Sequence, residues 1–321
     1  MNQLTMTISF AMIQHMRTVP DTLSADNTEL APHAGTGYLC PLAQIPPAQF
    51  LNPLSTSAVL FSAPHAGRYY ATEMFAADQL AAASTLEEKG TDVIVQTLSE
   101  HGYPALIPNI SRAVVDLNRP SFAQDSKLHN ILDVGDSGKA SLYKSYISAG
   151  YGVIPRLDAQ RRPLHRGMLE SALVTDILVL HHTPYHQSLA GMIHHASSHN
   201  SQILLCDIHS MPDDHSNRHL PDILFGNLHG VTCSQQTVNK IEQYMSQSGL
   251  SWAWNTPYAG GYITRHYGLN SAIEDCHVQA VQIEINRAML ETQHRQTDMD
   301  GLKQITEQLA GLSQTLADSL R

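Results

Sequence analysis

At 321 residues and 42% hydrophobic content the chain can bury the core of one large α/β domain or two modest ones. Its 19 Lys and Arg stand against 29 Asp and Glu, a net charge of −10 without any basic run, which argues against nucleic acid as a partner. No apolar stretch reaches membrane-spanning length, and Cys40, Cys206, Cys233 and Cys276 are too scattered for a secreted disulfide framework, so the expectation is a cytoplasmic protein with reduced thiols.

In chain order, residues 1–50 read as an entry segment, interrupted by Pro20, Pro32, Pro41, Pro46 and Pro47. The apolar stretch Ile8–Met12 is too short for a signal peptide and has no basic residue before it. Ala58–Phe61 predicts a buried strand that leaves into the loop Ser62-Ala-Pro-His-Ala-Gly67, putting His65 beyond its carboxyl end. Phe75–Leu86 is alanine-rich, and Thr91–Glu100 carries Val93, Ile94, Val95 and Leu98 at helical spacing before Gly102. Tyr103–Ile107 predicts the next strand, and Asp116-Leu-Asn-Arg119 follows soon after.

Glycines and prolines between Pro120 and Gly167 break every pattern, as expected of an insertion over a core at about 120–167. Leu169–Leu180 and His186–Ser198 have helical spacing, and Ile203–Cys206 is a strand delivering Asp207-Ile-His-Ser210. Val278–Ile285 alternates, placing Glu284 near a strand end, and Leu302–Leu320 predicts a closing amphipathic helix. The 19 histidines are mostly assigned bland roles. His181, His182, His194, His195 and His199 are expected to face solvent on helices, because no acidic partner accompanies them, and Pro212, Asp213, Asp214, Ser216 and Asn217 make the segment of His215 and His219 read as a loop.

In open α/β sheets, side chains beyond the carboxyl ends of different strands converge on one crevice. His65, Asn118, Arg119, His209 and Glu284 all have that placement, and two histidines with a carboxylate suit zinc with an open position for water.

Six stretches extend this pattern: Ser62–Gly67, Ser111–Pro120, Thr183–Leu189, Cys206–Pro212, Gly260–Arg265 and Gln282–Arg287. Together, and in this order, they resemble the N-formylglutamate amidohydrolase family. That family is similar in turn to zinc carboxypeptidases, whose site runs histidine, Asn-Arg carboxylate binder, histidine, catalytic glutamate. The resemblance implies a single three-layer α/β amidohydrolase domain over 1–321, with a mixed, mostly parallel sheet, helices on both faces and the phosphorylase/hydrolase-like fold of zinc carboxypeptidases. It implies one Zn2+ on His65, Asp92 and His209. Asp92 stands in for the glutamate that carboxypeptidases place three residues after the first histidine, a position held here by Arg68. Glu87 and Glu88 are the nearby rivals, and a favourable helix-dipole contact is the plain alternative for Asp92.

The implied chemistry is cleavage of a small acidic N-acyl amino acid, N-formylglutamate, to formate and glutamate in histidine breakdown. Glu284 would move the proton and Arg112 would steady the carbonyl oxygen. Asn118, Arg119 and Arg265 would hold carboxylates, with His186 lining the pocket. Gly260-Gly261 would let the chain pass close to the substrate, and Arg287 is assigned a structural ion pair. The competing expectations are a related zinc deacylase or carboxypeptidase on another acyl amino acid or peptide end, and a non-catalytic binder of acidic amino acids. A serine mechanism through Ser210 and His209 lacks a G-x-S-x-G turn.

Overall fold

The structure is a computed structural model describing residues 37–132, 137–213, 220–270, 273, 275–291 and 297–320. Ile8–Met12, His215 and His219 lie outside the described residues.

Nine strands occur among these residues: β1 (Tyr38–Cys40), β2 (Gln49–Leu51), β3 (Val59–Ser62), β4 (Tyr69–Ala71), β5 (Ala105–Ile107), β6 (Gln202–Met211), β7 (Ile223–Gly226), β8 (Trp252–Trp254) and β9 (His277–Asn286). Seven form one sheet in the order β2-β5-β3-β6-β9-β7-β8. Its centre is parallel: β5, β3, β6 and β9 run together, while β2 and the β7–β8 pair run against their neighbours β5 and β9. β1 and β4 make a small parallel pair of their own. The central strands are buried along nearly their whole length because helices cover both faces.

Side-chain alternation sorts those strands into two cores. Leu60, Ile203, Leu205, Val278 and Ala280 face one core, which α4 (Ser171–Ile177) and α5 (Thr183–Ser197) close with Val174, Ile177, Leu189 and Ile193. Val59, Phe61, Leu204, Cys206, Val281 and Ile283 face the other, closed by α2 (Thr91–Glu100), α6 (Gln235–Met245) and α8 (Met299–Ser319). Asp298 caps α8 by accepting from the backbone of Asp300 and Gly301, and Leu302, Ile305, Leu309, Leu312 and Leu316 line its buried stripe. Each such side chain contributes about 1.5–3 kcal/mol on burial, so this helix is held by packing.

The alanine-rich stretch forms only short turns around α1 (Leu80–Ala83), whereas α2 matches the predicted helix residue for residue. α4 and α5 join through a wider π-type turn at Leu178–His182. That turn buries His181 and His182, against the expectation of solvent-facing rings: His181 Nε2 meets Leu42 O at 3.2 Å and His182 Nε2 meets Arg119 O at 2.8 Å. Their partners are backbone carbonyls, which leave no acidic signature in the sequence. His194 and His199 are exposed as expected.

Within residues 120–167 the described part carries α3 (Lys144–Ser148) and contributes Leu128, Val153, Ile154 and Leu164 to the first core. Val153 bonds through its backbone to both Ala123 and Asp116, 2.7 Å each, so this segment is tied to the strand-end loop that carries the candidate site. α7 (Tyr262–Asn270) packs on the same side, with Ile263 and Tyr267 in that core.

Candidate active site

β6 and β9 pair in parallel over their full length, with His209 opposite Glu284 and Asp207 opposite Gln282. Because strand side chains alternate, Asp207, His209, Gln282 and Glu284 share the face of the first core at its open end. His65 arrives from the loop after β3, and its backbone carbonyl accepts from the backbone of Glu88 (3.2 Å), which brings the turn before α2 alongside.

The result is a buried cluster. His65 Nδ1 lies 2.8 Å from Glu88 Oε1 and His209 Nδ1 lies 3.0 Å from Glu88 Oε2, with the two rings 4.7 Å apart. Each outer nitrogen faces a fully buried carboxylate: His65 Nε2 lies 2.8 Å from Asp116 Oδ1 and His209 Nε2 lies 2.9 Å from Asp207 Oδ2. Arg112 donates to Asp116 and to Glu88, both at 3.1 Å, and the Ser210 backbone donates to Glu88 at 3.0 Å.

These contacts set the charges. Burial alone would raise the Glu88 pKa, but His65 and His209 outweigh it and hold the carboxyl well below its usual range. Asp116 is likewise depressed against burial by Arg112 and His65. Burial opposes the charge on His209, yet Asp207 and Glu88 raise it well above an ordinary histidine. Glu284 goes the other way: burial first, with Glu88 adding and the histidines opposing, lifts it to about 7. Gln282 Nε2 donates to Glu284 at 2.7 Å, and Gln282 Oε1 accepts from the Gly261 backbone at 2.7 Å.

His65, Glu88 and His209 are the set among the described residues that could hold a metal ion, with one donor atom from each within 4.8 Å of the others. The chemistry of the donors fits a cation. If each Nε2–H donates to its own carboxylate, both Nδ1 lone pairs and the Glu88 oxygens converge as acceptors with no proton between them.

Asp92 requires a correction. Its Oδ2 bonds Arg68 at 2.8 Å in a partly exposed pair, and the acidic member beside the histidines is Glu88, one of the two rivals. Asp92 lies one residue into α2, whereas Glu88 sits on the turn before it, pinned by its backbone to His65. Glu87 is also buried, but bonds the Tyr70 hydroxyl.

Other expected site residues divide. Arg112 touches the cluster. Asn118 is spent on the protein: Oδ1 accepts from Ile263 N at 2.8 Å, and Nδ2 rests 3.1 Å from His209 Nε2. Arg119 is buried, donating to Tyr151 O and Asn118 O with its guanidinium 4.1 Å from the centre of the Tyr146 ring. Arg265 is exposed on α7. His186 is enclosed by Tyr262, Tyr267 and His182, bonds Leu117 O at 3.0 Å, and is kept neutral chiefly by burial.

Gly261 is required because a Cβ there would lie 2.3 Å from the Asn118 amide, and Gly260 adopts φ +130°; the close approach is to Asn118. Arg287 bonds Ser210 Oγ (3.0 Å) and Glu87 O (3.2 Å) rather than an acid, which also ties up the Ser210 hydroxyl. Asp116 and Asp207 were not singled out. The signal for Asp207 is its i, i+2 spacing to His209 on a strand, which puts both on one face.

Fold and cluster define a class: a three-layer α/β protein with a histidine–carboxylate centre at the carboxyl ends of its parallel strands. The profile of the N-formylglutamate amidohydrolase family matches residues 57–290, and the chain belongs to that family. It is 33% identical over 193 residues to an N-formylglutamate deformylase of Pseudomonas aeruginosa, covering 58% of this chain and 64% of that one. It is 26% identical over 189 residues to another from Pseudomonas putida, covering 57% and 62%. The matched stretches thus span somewhat under two thirds of those relatives. The fold is similar to the crystal structure of N-formylglutamate amidohydrolase from Ralstonia eutropha, with TM-score 0.71, 22% identity, and coverage of 86% of this chain and 98% of that one. It is also similar to a gene product of Agrobacterium tumefaciens, with TM-score 0.63, 17% identity, and coverage of 85% and 95%.

Proposed function

We propose that this chain is a zinc-dependent amidohydrolase that cleaves N-formyl-L-glutamate to formate and L-glutamate, in the breakdown of histidine. The observation that carries the reading is the convergence of His65, Glu88 and His209 with Glu284 one strand away, within a chain of this family. The names of its relatives support the substrate.

His65, Glu88 and His209 would hold the ion, with Asp116 and Asp207 fixing the ring orientations. When bound, it supplies Lewis acidity that strengthens water as a nucleophile near neutral pH and polarises an amide carbonyl. Glu284, near 7 and steadied by Gln282, takes a proton from water and passes it to the departing amide nitrogen. Arg112 keeps positive charge where the carbonyl oxygen becomes negative. Arg119 and Arg265 hold the carboxylates, Asn118 fixes the start of α7 beside them, and the neutral His186 backs the pocket wall.

The chain acts as one domain, with the segment at about 120–167 as an insertion over the core. Its four free cysteines support a reducing, cytoplasmic setting. Among the described residues, no helix is long and apolar enough to cross a membrane. The test is release of formate from N-formylglutamate beside acetyl and succinyl derivatives of glutamate, aspartate and glutamine, with a chelator arm and zinc add-back. Selective N-formylglutamate cleavage that is lost with chelator and restored by zinc is the expected result. Cleavage indifferent to chelator, or a preference for another acyl group, would replace the reading.

A further inference from the structure

Among the described residues, the hydrogen-bond partners of the Arg287 side chain are two neutral oxygens. Nε donates to Ser210 Oγ at 3.0 Å and Nη2 to the backbone carbonyl of Glu87 at 3.2 Å, from residues 77 and 200 positions away in the chain. These two nitrogens form one edge of the planar guanidinium, so a single rigid group spans both acceptors. The bend that delivers it is local. β9 ends at Asn286, whose side chain accepts from Ala288 N at 3.0 Å and turns Arg287 out of the strand, over the neighbouring end of β6. No carboxylate among the described residues lies within ion-pair distance of Arg287, and Arg112 already supplies the cation that faces Glu88 and Asp116.

Both acceptors bear on Glu88. The peptide unit that leads into Glu88 is planar, with the Glu87 carbonyl and the Glu88 N–H at its two poles. The Glu88 N–H donates to His65 O at 3.2 Å and Arg287 holds the carbonyl, so both poles are tied to distant parts of the chain. The next carbonyl, that of Glu88 itself, accepts from Thr91 Oγ1 at 2.6 Å, and the buried Tyr70 hydroxyl holds the Glu87 side chain. Ser210, at the other end of the Arg287 bridge, directly follows His209 and donates its backbone N–H to Glu88 Oε2 at 3.0 Å. A closed circuit results: Arg287 to Ser210, Ser210 to the Glu88 carboxylate, Glu88 through its backbone to Glu87, and Glu87 back to Arg287.

We propose that Arg287 is a positioning residue for Glu88: it locks the peptide before this carboxylate onto the end of β6, holds the carboxylate between His65 and His209, and so sets how tightly the centre binds a divalent cation. The cation rests on the reading under Proposed function; the positioning rests on the bonds above. Without the bridge, the turn before α2 could pivot, and ordering it at the moment of binding would appear as lost affinity. Electrostatics alone predicts the opposite sign, since deleting a positive charge near a cation site should tighten that site.

The test is the zinc affinity of the full chain as wild type, Arg287→Met and Arg287→Lys, by competition with a chromophoric chelator, together with crystal structures of the metal-free proteins. Methionine keeps an unbranched stem without donors, and lysine keeps the charge without the fork, so Arg287→Lys carries the same test should Arg287→Met fail to fold. The Kd for zinc should rise on the order of tenfold in Arg287→Met and severalfold in Arg287→Lys, with Glu88 displaced from the two histidine nitrogens. In a Glu88→Gln background, Arg287→Met should cost no further affinity, because Arg287 acts through Glu88. Unchanged or tighter zinc binding in Arg287→Met, full affinity in Arg287→Lys, or losses that add in the double variant would each overturn the positioning role. A wild type that takes up no zinc removes the metal reading instead; the positioning role then stands if Glu88 moves in the metal-free Arg287→Met structure and falls if it does not.

Discussion

Replacing Asp207 with Asn tests whether the outer carboxylates set the metal affinity of the histidine pair. Asp207 is fully buried, with Oδ2 2.9 Å from His209 Nε2 and Oδ1 without a partner, so its charge is directed almost entirely at that ring. Asparagine keeps the shape and can still accept the Nε2–H through its oxygen, but the charge that leads among those raising the His209 pKa disappears. Loss of such a carboxylate costs about 10–100-fold in metal affinity, and the retained acceptor puts the expectation near tenfold, or about 1.4 kcal/mol. His65 keeps Asp116 and serves as the internal reference. The assay is competition for zinc against a chromophoric chelator, paired with NMR titration of His209 in the metal-free protein, where its pKa should move down towards the ordinary value. Zinc affinity within twofold of wild type, together with an unmoved His209 titration, would refute the reasoning.

Glu284→Gln should retain zinc and glutarate binding while turnover falls by about 10²–10⁴-fold, and normal turnover would remove Glu284 as the proton carrier. In the parent enzyme the acid limb of kcat/KM should lie at or below about 7, because the base must be ionised and a nearby cation can only lower it from its buried value. Asp92→Asn breaks a partly exposed pair with Arg68, so urea denaturation should shift by no more than about 1 kcal/mol; a larger loss would mean that Asp92 supports more than that pair. His182 and His186 are held neutral by burial, below their unfolded pKa, so the unfolded chain binds more protons as pH falls through about 6.5. Stability should therefore decline towards acid by up to about 1.4 kcal/mol per pH unit for each, and His186→Gln should flatten that slope; an unchanged slope would contradict the buried neutral assignment.

The parallel centre of the sheet was legible because Ala58–Phe61 and Ile203–Cys206 read as short apolar runs leading to His65 and His209, and Val278–Ile285 alternates towards Glu284. α2 and α8 were legible from helical periodicity with clear starts and stops. β7, β8, α6 and α7 were not singled out. Ile223–Gly226 and Trp252–Trp254 are too short to carry a period, and Tyr262–Asn270 mixes buried Ile263 and Tyr267 with exposed Arg265, so its face blurs. The acidic partner of the histidines escaped for a spatial reason. Glu87, Glu88 and Asp92 lie within six residues, and only the backbone bond from Glu88 to His65, a contact across 23 residues, chooses among them. Asn118 likewise has the composition of a ligand binder, but the close approach of Gly261 turns it inward.

The central claim is that His65, Glu88 and His209 gather around one divalent cation. Its most direct test is elemental analysis of the purified wild type, Glu88→Gln and Asp92→Asn after identical zinc loading and desalting. The prediction is about one equivalent of zinc in the wild type and in Asp92→Asn, with most of it lost from Glu88→Gln. Full occupancy in Glu88→Gln, or loss confined to Asp92→Asn, would contradict it.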